Sequence, residues 1–174
     1  MSGTNFGSFI HVMKKINIIT SLVALMLLIG ACSTSKEARN YKKTIDGNWQ
    51  LQSVLTAGIT GKVKVQLFNE ADFNCYVGSN WSFNDRNSLG SYMISKNGTE
   101  CDEVKRNIRW TIYEATGEPK LLQFKRLDDK LKAMDDGAGF RFTIAQLDDK
   151  TMQLKSDIIF ENKPASLIYN FVRN

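Results

Sequence analysis

From Asp46 to the C terminus, apolar residues recur at every second position, and this period-two rhythm limits the chain to half-buried β-strands. Trp49, Leu51 and Leu55 alternate with Asn48, Gln50 and Gln52, and Val63, Val65 and Leu67 alternate with Lys62, Lys64 and Gln66. Trp81 and Phe83 share a face, and Leu89 to Ser95 reads as a further strand. Ile108, Trp110 and Ile112 stand against Arg109, Thr111 and Tyr113, and Leu122 with Phe124 follows. Phe140, Phe142 and Ile144 oppose Arg141, Thr143 and Ala145. Met152, Leu154, Ile158 and Phe160 share one parity, and Leu167, Tyr169 and Phe171 share another. Between these runs lie Asn84-Asp85-Arg86-Asn87, Gly117-Glu118-Pro119, Asp128-Asp129 and Asn162-Lys163-Pro164, all suited to hairpin connections. The expected fold is therefore all-β, with eight to nine short antiparallel strands in a meander and little helix. Closure into an up-and-down barrel removes the free edges of such a meander; a two-sheet sandwich is the alternative.

The segment ahead of this domain reads as an address. Lys14 and Lys15 form a short basic region, Ile16 to Ile29 an apolar run, and Gly30-Ala31 supply small residues before Cys32. Ile29 to Cys32 resembles the lipobox of bacterial lipoproteins, which implies diacylglycerol on the Cys32 sulfur, cleavage ahead of it and acylation of the new amino group. Several acyl chains make a far more durable membrane anchor than one. Met13 is expected to be the true start, so the boundaries run 1–12 extension, 13–31 signal peptide, 32–45 lipidated cysteine and tether, and 46–174 barrel domain. The polar stretch Ser33 to Asn40 shows no apolar periodicity and reads as the tether. Its Lys36-Glu37 pair resembles the charged export signals that some gram-negative bacteria place after the lipidated cysteine. The expected location is the cell envelope, anchored in the outer membrane, with both the periplasmic and the outward face open.

Composition narrows the chemistry. The one histidine, His11, lies ahead of the expected start, so the mature domain of about 140 residues lacks the commonest general base and metal ligand. Neither a Ser-His-Asp arrangement nor a His-containing zinc site can be built, and no metal or cofactor is expected. The acidic pairs Asp128-Asp129 and Asp148-Asp149 fall where turns want Asp, and Asp135-Asp136-Gly137 lacks the ligand spacing of an EF-hand loop. With Lys14 and Lys15 removed, the excess of basic over acidic residues falls from five to three, interleaved along the chain, which does not suggest nucleic acid. Cys75 and Cys101 remain once Cys32 is lipidated, and an oxidising compartment favours a disulfide between them, with two buried thiols as the alternative.

Gly47-Asn48-Trp49, at the start of a meander of about 130 residues, resembles the G-x-W opening of lipocalins and lipocalin-like domains. The chain as a whole is similar to bacterial lipocalin-like lipoproteins, which combine a lipobox, that opening and a Cys-x5-Trp-x-Phe segment, here Cys75 through Trp81 to Phe83. Arg106-Asn107-Ile108-Arg109-Trp110 and Ile168-Tyr169-Asn170-Phe171-Val172 fit the same pattern. The lipocalin Thr-Asp-Tyr motif and the long helix after the barrel are absent from this sequence. The resemblance implies that Trp49 packs against a basic side chain of the last strand, a role Arg173 can fill.

Two functions of different classes follow. The first is a non-enzymatic binding module whose barrel takes a small hydrophobic ligand, lipid-like or fatty-acid-like, with Trp81, Phe83, Tyr92, Trp110, Phe124, Phe142 and Tyr169 as the candidate wall. The second is a packed barrel that binds or inhibits an envelope protein through loops such as Asn69 to Asp72 and Asn97 to Glu103. A cavity of roughly 300 Å3 or more separates the first from the second. An enzyme would require inward carboxylates, and the expected inward positions are almost wholly apolar.

Overall fold

A computed structural model of the protein describes residues 35–59, 61, 63–95 and 101–174. The extension, the signal segment, His11 and Cys32 lie outside the described residues, as do residues 97–100 of the loop from Asn97 to Glu103. Eight strands form one closed antiparallel barrel: β1 (Gly47–Ala57), β4 (Asn80–Phe83), β5 (Leu89–Ile94), β6 (Val104–Tyr113), β7 (Leu121–Leu127), β8 (Phe140–Leu147), β9 (Thr151–Phe160) and β10 (Lys163–Arg173). The two short strands between β1 and β4, β2 (Gln66–Leu67) and β3 (Ala71–Asp72), stand apart from it. Strands β4 to β10 each pair with the next, and β1 closes the ring between β10 and β4. The meander and its closure thus agree with the period-two reading.

The turns explain themselves locally. Glu161 and Asn162 both take a left-handed conformation between β9 and β10, as a two-residue hairpin loop requires. Asp128 accepts from the amides of Lys130 and Lys132, and Asp148 from those of Lys150 and Thr151. These are side-chain-capped turns, and the exposed Asp148 carboxyl is held down at about 2, chiefly by the Thr151 hydroxyl.

Three local readings are corrected. The alternation predicts Leu55 on the inner face with Trp49 and Leu51, but the β1–β10 register shifts between Leu51 and Ser53. This bulge reverses the parity, so Val54 points inward and Leu55 is 54% exposed. The predicted strand over Val63 to Leu67 does not join the barrel. Only its last two residues pair, as β2 with β3, in a separate two-stranded hairpin. Within the expected tether, Lys36–Ile45 is an α-helix (α1) whose buried residues are Ala38 and Ile45, with Tyr41 packed against the core between them. Ala38, Tyr41 and Ile45 have the i, i+3, i+7 spacing of one helix face, but the stretch Ser33 to Asn40 contains only the first of them.

Helix α1 closes one end of the barrel, and the G-x-W segment fastens it there. The Trp49 indole is fully buried and donates from Nε1 to the Ile45 carbonyl at 2.8 Å. The Arg173 guanidinium lies 4.3 Å above the same ring. It donates to the carbonyls of Asp46 (2.7 Å), Asp149 (2.6 Å) and Thr44. Gly47 has φ +117°, and a Cβ there would fall 2.6 Å from Arg173 Nη1, so the glycine of the motif makes room for the arginine. Arg173→Ala is expected to cost about 2–3 kcal/mol, because it removes charged hydrogen bonds and a cation–π interaction together. A urea titration reads this, and a loss within about 0.5 kcal/mol, as for an ordinary surface site, would count against the clasp.

The opposite end is spanned by the connection from β1 to β4, which carries the β2–β3 hairpin and a four-residue helix, α2 (Phe73–Tyr76). Asp72 caps α2 through the Asn74 amide and also accepts from the Val65 amide. Cys75 and Cys101 form a disulfide that fixes α2 to the β5–β6 connection. For a separation of 26 residues, the chain-entropy relation gives about 3.5 kcal/mol. The Cys75→Ser, Cys101→Ser double variant is expected to lose about that much in a denaturant titration, and an unchanged midpoint would contradict it.

Candidate functional site

The candidate site is the covered end of the barrel, where the β2–β3 hairpin turns inward. Its turn residues Phe68 and Asn69 both have φ 54°. Asn tolerates this region, whereas a bulky side chain there is strained and must be held by its surroundings. Phe68 is 6% exposed, and six rings hold it, those of Tyr76, Trp81, Tyr92, Phe124, Phe140 and Phe142, with centroids 5.0–6.1 Å away. Most of these pairs are edge-on, the arrangement that ring quadrupoles favour. The ring fills the barrel. The space left between it and the rings of Trp81, Phe83, Phe124, Phe142 and Tyr169 is about 10 Å3, the room needed by one water at most.

The seven wall residues expected from sequence are all buried. Trp81, Phe83, Phe124, Phe142 and Tyr169 surround the small central space together with Phe68. Tyr169 has its phenol pushed up to about 12 by burial, beside Ser156 Oγ at 3.2 Å. Trp110 sits toward the α1 end, with Lys42 Nζ 5.2 Å from its ring, and Tyr92 turns its hydroxyl toward the hairpin. The expected set did not include Phe68. Its neighbours Val63, Val65 and Leu67 alternate as a strand does, and nothing local marks a phenylalanine that will be inserted from a turn.

A buried ionic cluster lies directly beside the plug. Glu70, one residue beyond Asn69 on the same turn, has a side chain 7% exposed. Its Oε1 accepts from Arg106 Nε at 2.6 Å and lies 3.3 Å from Arg126 Nη1; its Oε2 accepts from the Tyr92 hydroxyl at 2.5 Å. Tyr76 OH stands 3.5 Å from the same oxygen. Arg126, 5% exposed, turns the rest of its fork on Asp135, donating from Nε at 2.8 Å and Nη2 at 2.5 Å. The Asp135 bond holds the guanidinium protonated, and Arg126 in turn lowers the Asp135 carboxyl. Burial, followed by the Glu70 carboxylate, raises the Tyr92 phenol far above its ordinary range. Asp135 therefore does more than turn the chain, and both of its carboxylate oxygens are engaged by arginine.

The fold and the site together define a lipocalin-like barrel, sealed at one end by a helix clasped through G-x-W and Arg173, and at the other by an aromatic plug with an ionic latch. The chain belongs to the lipocalin-like domain family, which it matches over residues 45–154, more than half its length. Among solved structures it is similar to a lipocalin-like protein from Bacteroides uniformis ATCC 8492, at 12% identity over 75% of this chain and 99% of that one, with a TM-score of 0.45. It is also similar to bovine odorant binding protein complexed with its natural ligand, at 13% identity over 82% and 76%, with a TM-score of 0.39. The same bovine protein with a selenium-containing odorant matches at 14% identity over 82% and 78%, with a TM-score of 0.40. No curated protein matches the sequence.

Proposed function

We propose that the protein is a lipid-anchored binding protein of the cell envelope, held at the outer membrane through Cys32, whose barrel admits a small hydrophobic ligand into the space that Phe68 fills. The observation that carries this reading is the origin of the central ring. The strands leave a gap lined by Trp81, Phe124 and Phe142, and the group that fills it comes from a strained turn in a connection. A hairpin of two residue pairs can withdraw without breaking the barrel, and the site it vacates is apolar with a few polar groups at its rim, as small-molecule sites are. Binding is favoured over catalysis because the two carboxylates at the mouth, Glu70 and Asp135, are both committed to arginine. The anchor rests on the lipobox at Ile29 to Cys32.

A packed barrel that engages a protein partner is the second reading, favoured by the small residual interior and by outward apolar residues such as Ile159, 72% exposed, and Leu55. Native mass spectrometry of the unlipidated domain from its own host decides between them. A stoichiometric apolar molecule supports the carrier; a bare protein that also refuses added apolar probes moves the function to the outer surface. Cys32→Ser should leave an uncleaved or mislocalised precursor, and normal membrane attachment of that variant would sink the anchor.

A further inference from the structure

We propose that the ligand admitted by the barrel is a small amphiphile bearing a carboxylate, its apolar body replacing the Phe68 ring and its carboxylate replacing that of Glu70 on Arg106, Arg126 and Tyr92. The inference rests on the carrier reading and names the chemical class of its ligand.

The hairpin turn presents an apolar group and a carboxylate two residues apart, and the barrel receives both. The ring enters the aromatic interior, and the carboxylate meets donors carried by three successive barrel strands: Tyr92 on β5, Arg106 on β6 and Arg126 on β7. Those donors belong to the wall and stay behind when the turn leaves. With Glu70 docked, Glu70 and Asp135 balance Arg106 and Arg126. With Glu70 withdrawn, the same cluster carries one excess positive charge beside an apolar cavity. Phe68 and Glu70 flank Asn69 on one turn, so withdrawal of the turn removes both.

A neutral guest that displaces the turn would therefore leave Arg106 without its carboxylate and the buried Arg126 with Asp135 alone, whereas a carboxylate guest restores the lost pairing. Sites built to bond a charged group discriminate strongly against analogues that lack it, since their own buried groups are then left unpaired. Arg126 retains Asp135 throughout, so the fork stays oriented for the incoming carboxylate.

The test compares octanoate with octanol, titrated against tryptophan fluorescence and by calorimetry near neutral pH, using the disulfide-intact domain. The wild-type protein, in which a guest must displace the turn, is expected to bind octanoate at least about tenfold more tightly than octanol, while Phe68→Ala, whose cavity opens with Glu70 in place, is expected to take up octanol as well. Arg106→Met removes a partly exposed donor, 36% accessible, that the fold can spare, and should narrow that preference toward equality. Glu70→Gln removes the internal competitor and should tighten octanoate relative to wild type. Equal binding of acid and alcohol by the wild-type protein, or a Glu70→Gln variant no better for octanoate, would overturn the carboxylate assignment while leaving the carrier intact. Binding of neither probe, even by Phe68→Ala, would overturn the carrier reading itself.

Discussion

Phe68→Ala is expected to lower the stability of the domain by about 3–5 kcal/mol, the range for truncating a buried phenylalanine. Six rings lose a partner at once, and the strands around them are tied into a closed ring that can collapse only slightly, so the upper part of that range applies. The left-handed backbone at position 68 gives no compensation, because alanine carries the same Cβ into the same φ. Destabilisation should be accompanied by a new property: an apolar cavity where the native protein has almost none. Guanidinium titrations with and without saturating octanol measure both effects, since a ligand that binds only the folded state raises the midpoint. A loss below about 1 kcal/mol with no octanol-induced shift would mean that the ring is not part of the core.

Glu70→Ala should be comparably damaging, at about 3–5 kcal/mol, because it strips one member from a buried charge cluster. The two arginines do not contribute equally. Arg106 is partly exposed and solvent screens its loss, so most of the cost falls on Arg126, which is nine-tenths buried and keeps only Asp135. Glu70→Gln should cost less, since an amide of nearly the same shape still accepts from arginine, and its own loss relative to wild type isolates the contribution of the charge. Acid acts on the same latch. The Asp135 carboxyl is lowered by Arg126, so its contribution is complete above the ordinary carboxylate pKa and is lost as the pH falls through its depressed folded value. Loosening by this route belongs below about pH 4. Latch opening near neutral pH would exclude Asp135 as its cause.

Much of the barrel can be read along the chain because strand parity is local. Phe140, Phe142 and Ile144 alternate in the sequence and point inward in the fold, and the clasp of Trp49 by Arg173 follows from a family resemblance in the first and last barrel strands. What cannot be read depends on register or on distant meetings. One unpaired residue at Gln52 moves Leu55 to the surface, and such a bulge leaves no mark in composition. The ionic cluster joins residues from the hairpin, β5, β6, β7 and the turn before β8, none adjacent in sequence. Phe68 is harder still: its neighbours advertise a strand, its conformation is one that phenylalanine avoids, and only the finished barrel supplies the rings that hold it there.

The unbroken ring of strands also decides how this domain can meet its neighbours. Every barrel strand already has a hydrogen-bonded companion on each side, so the wall offers no long row of vacant amides and carbonyls for another chain to copy. Copies of such a domain crowded together are thereby protected from the backbone templating that links exposed sheets into fibres. Recognition of any macromolecule must be written in side chains alone, where a few substitutions can change the partner without disturbing the frame.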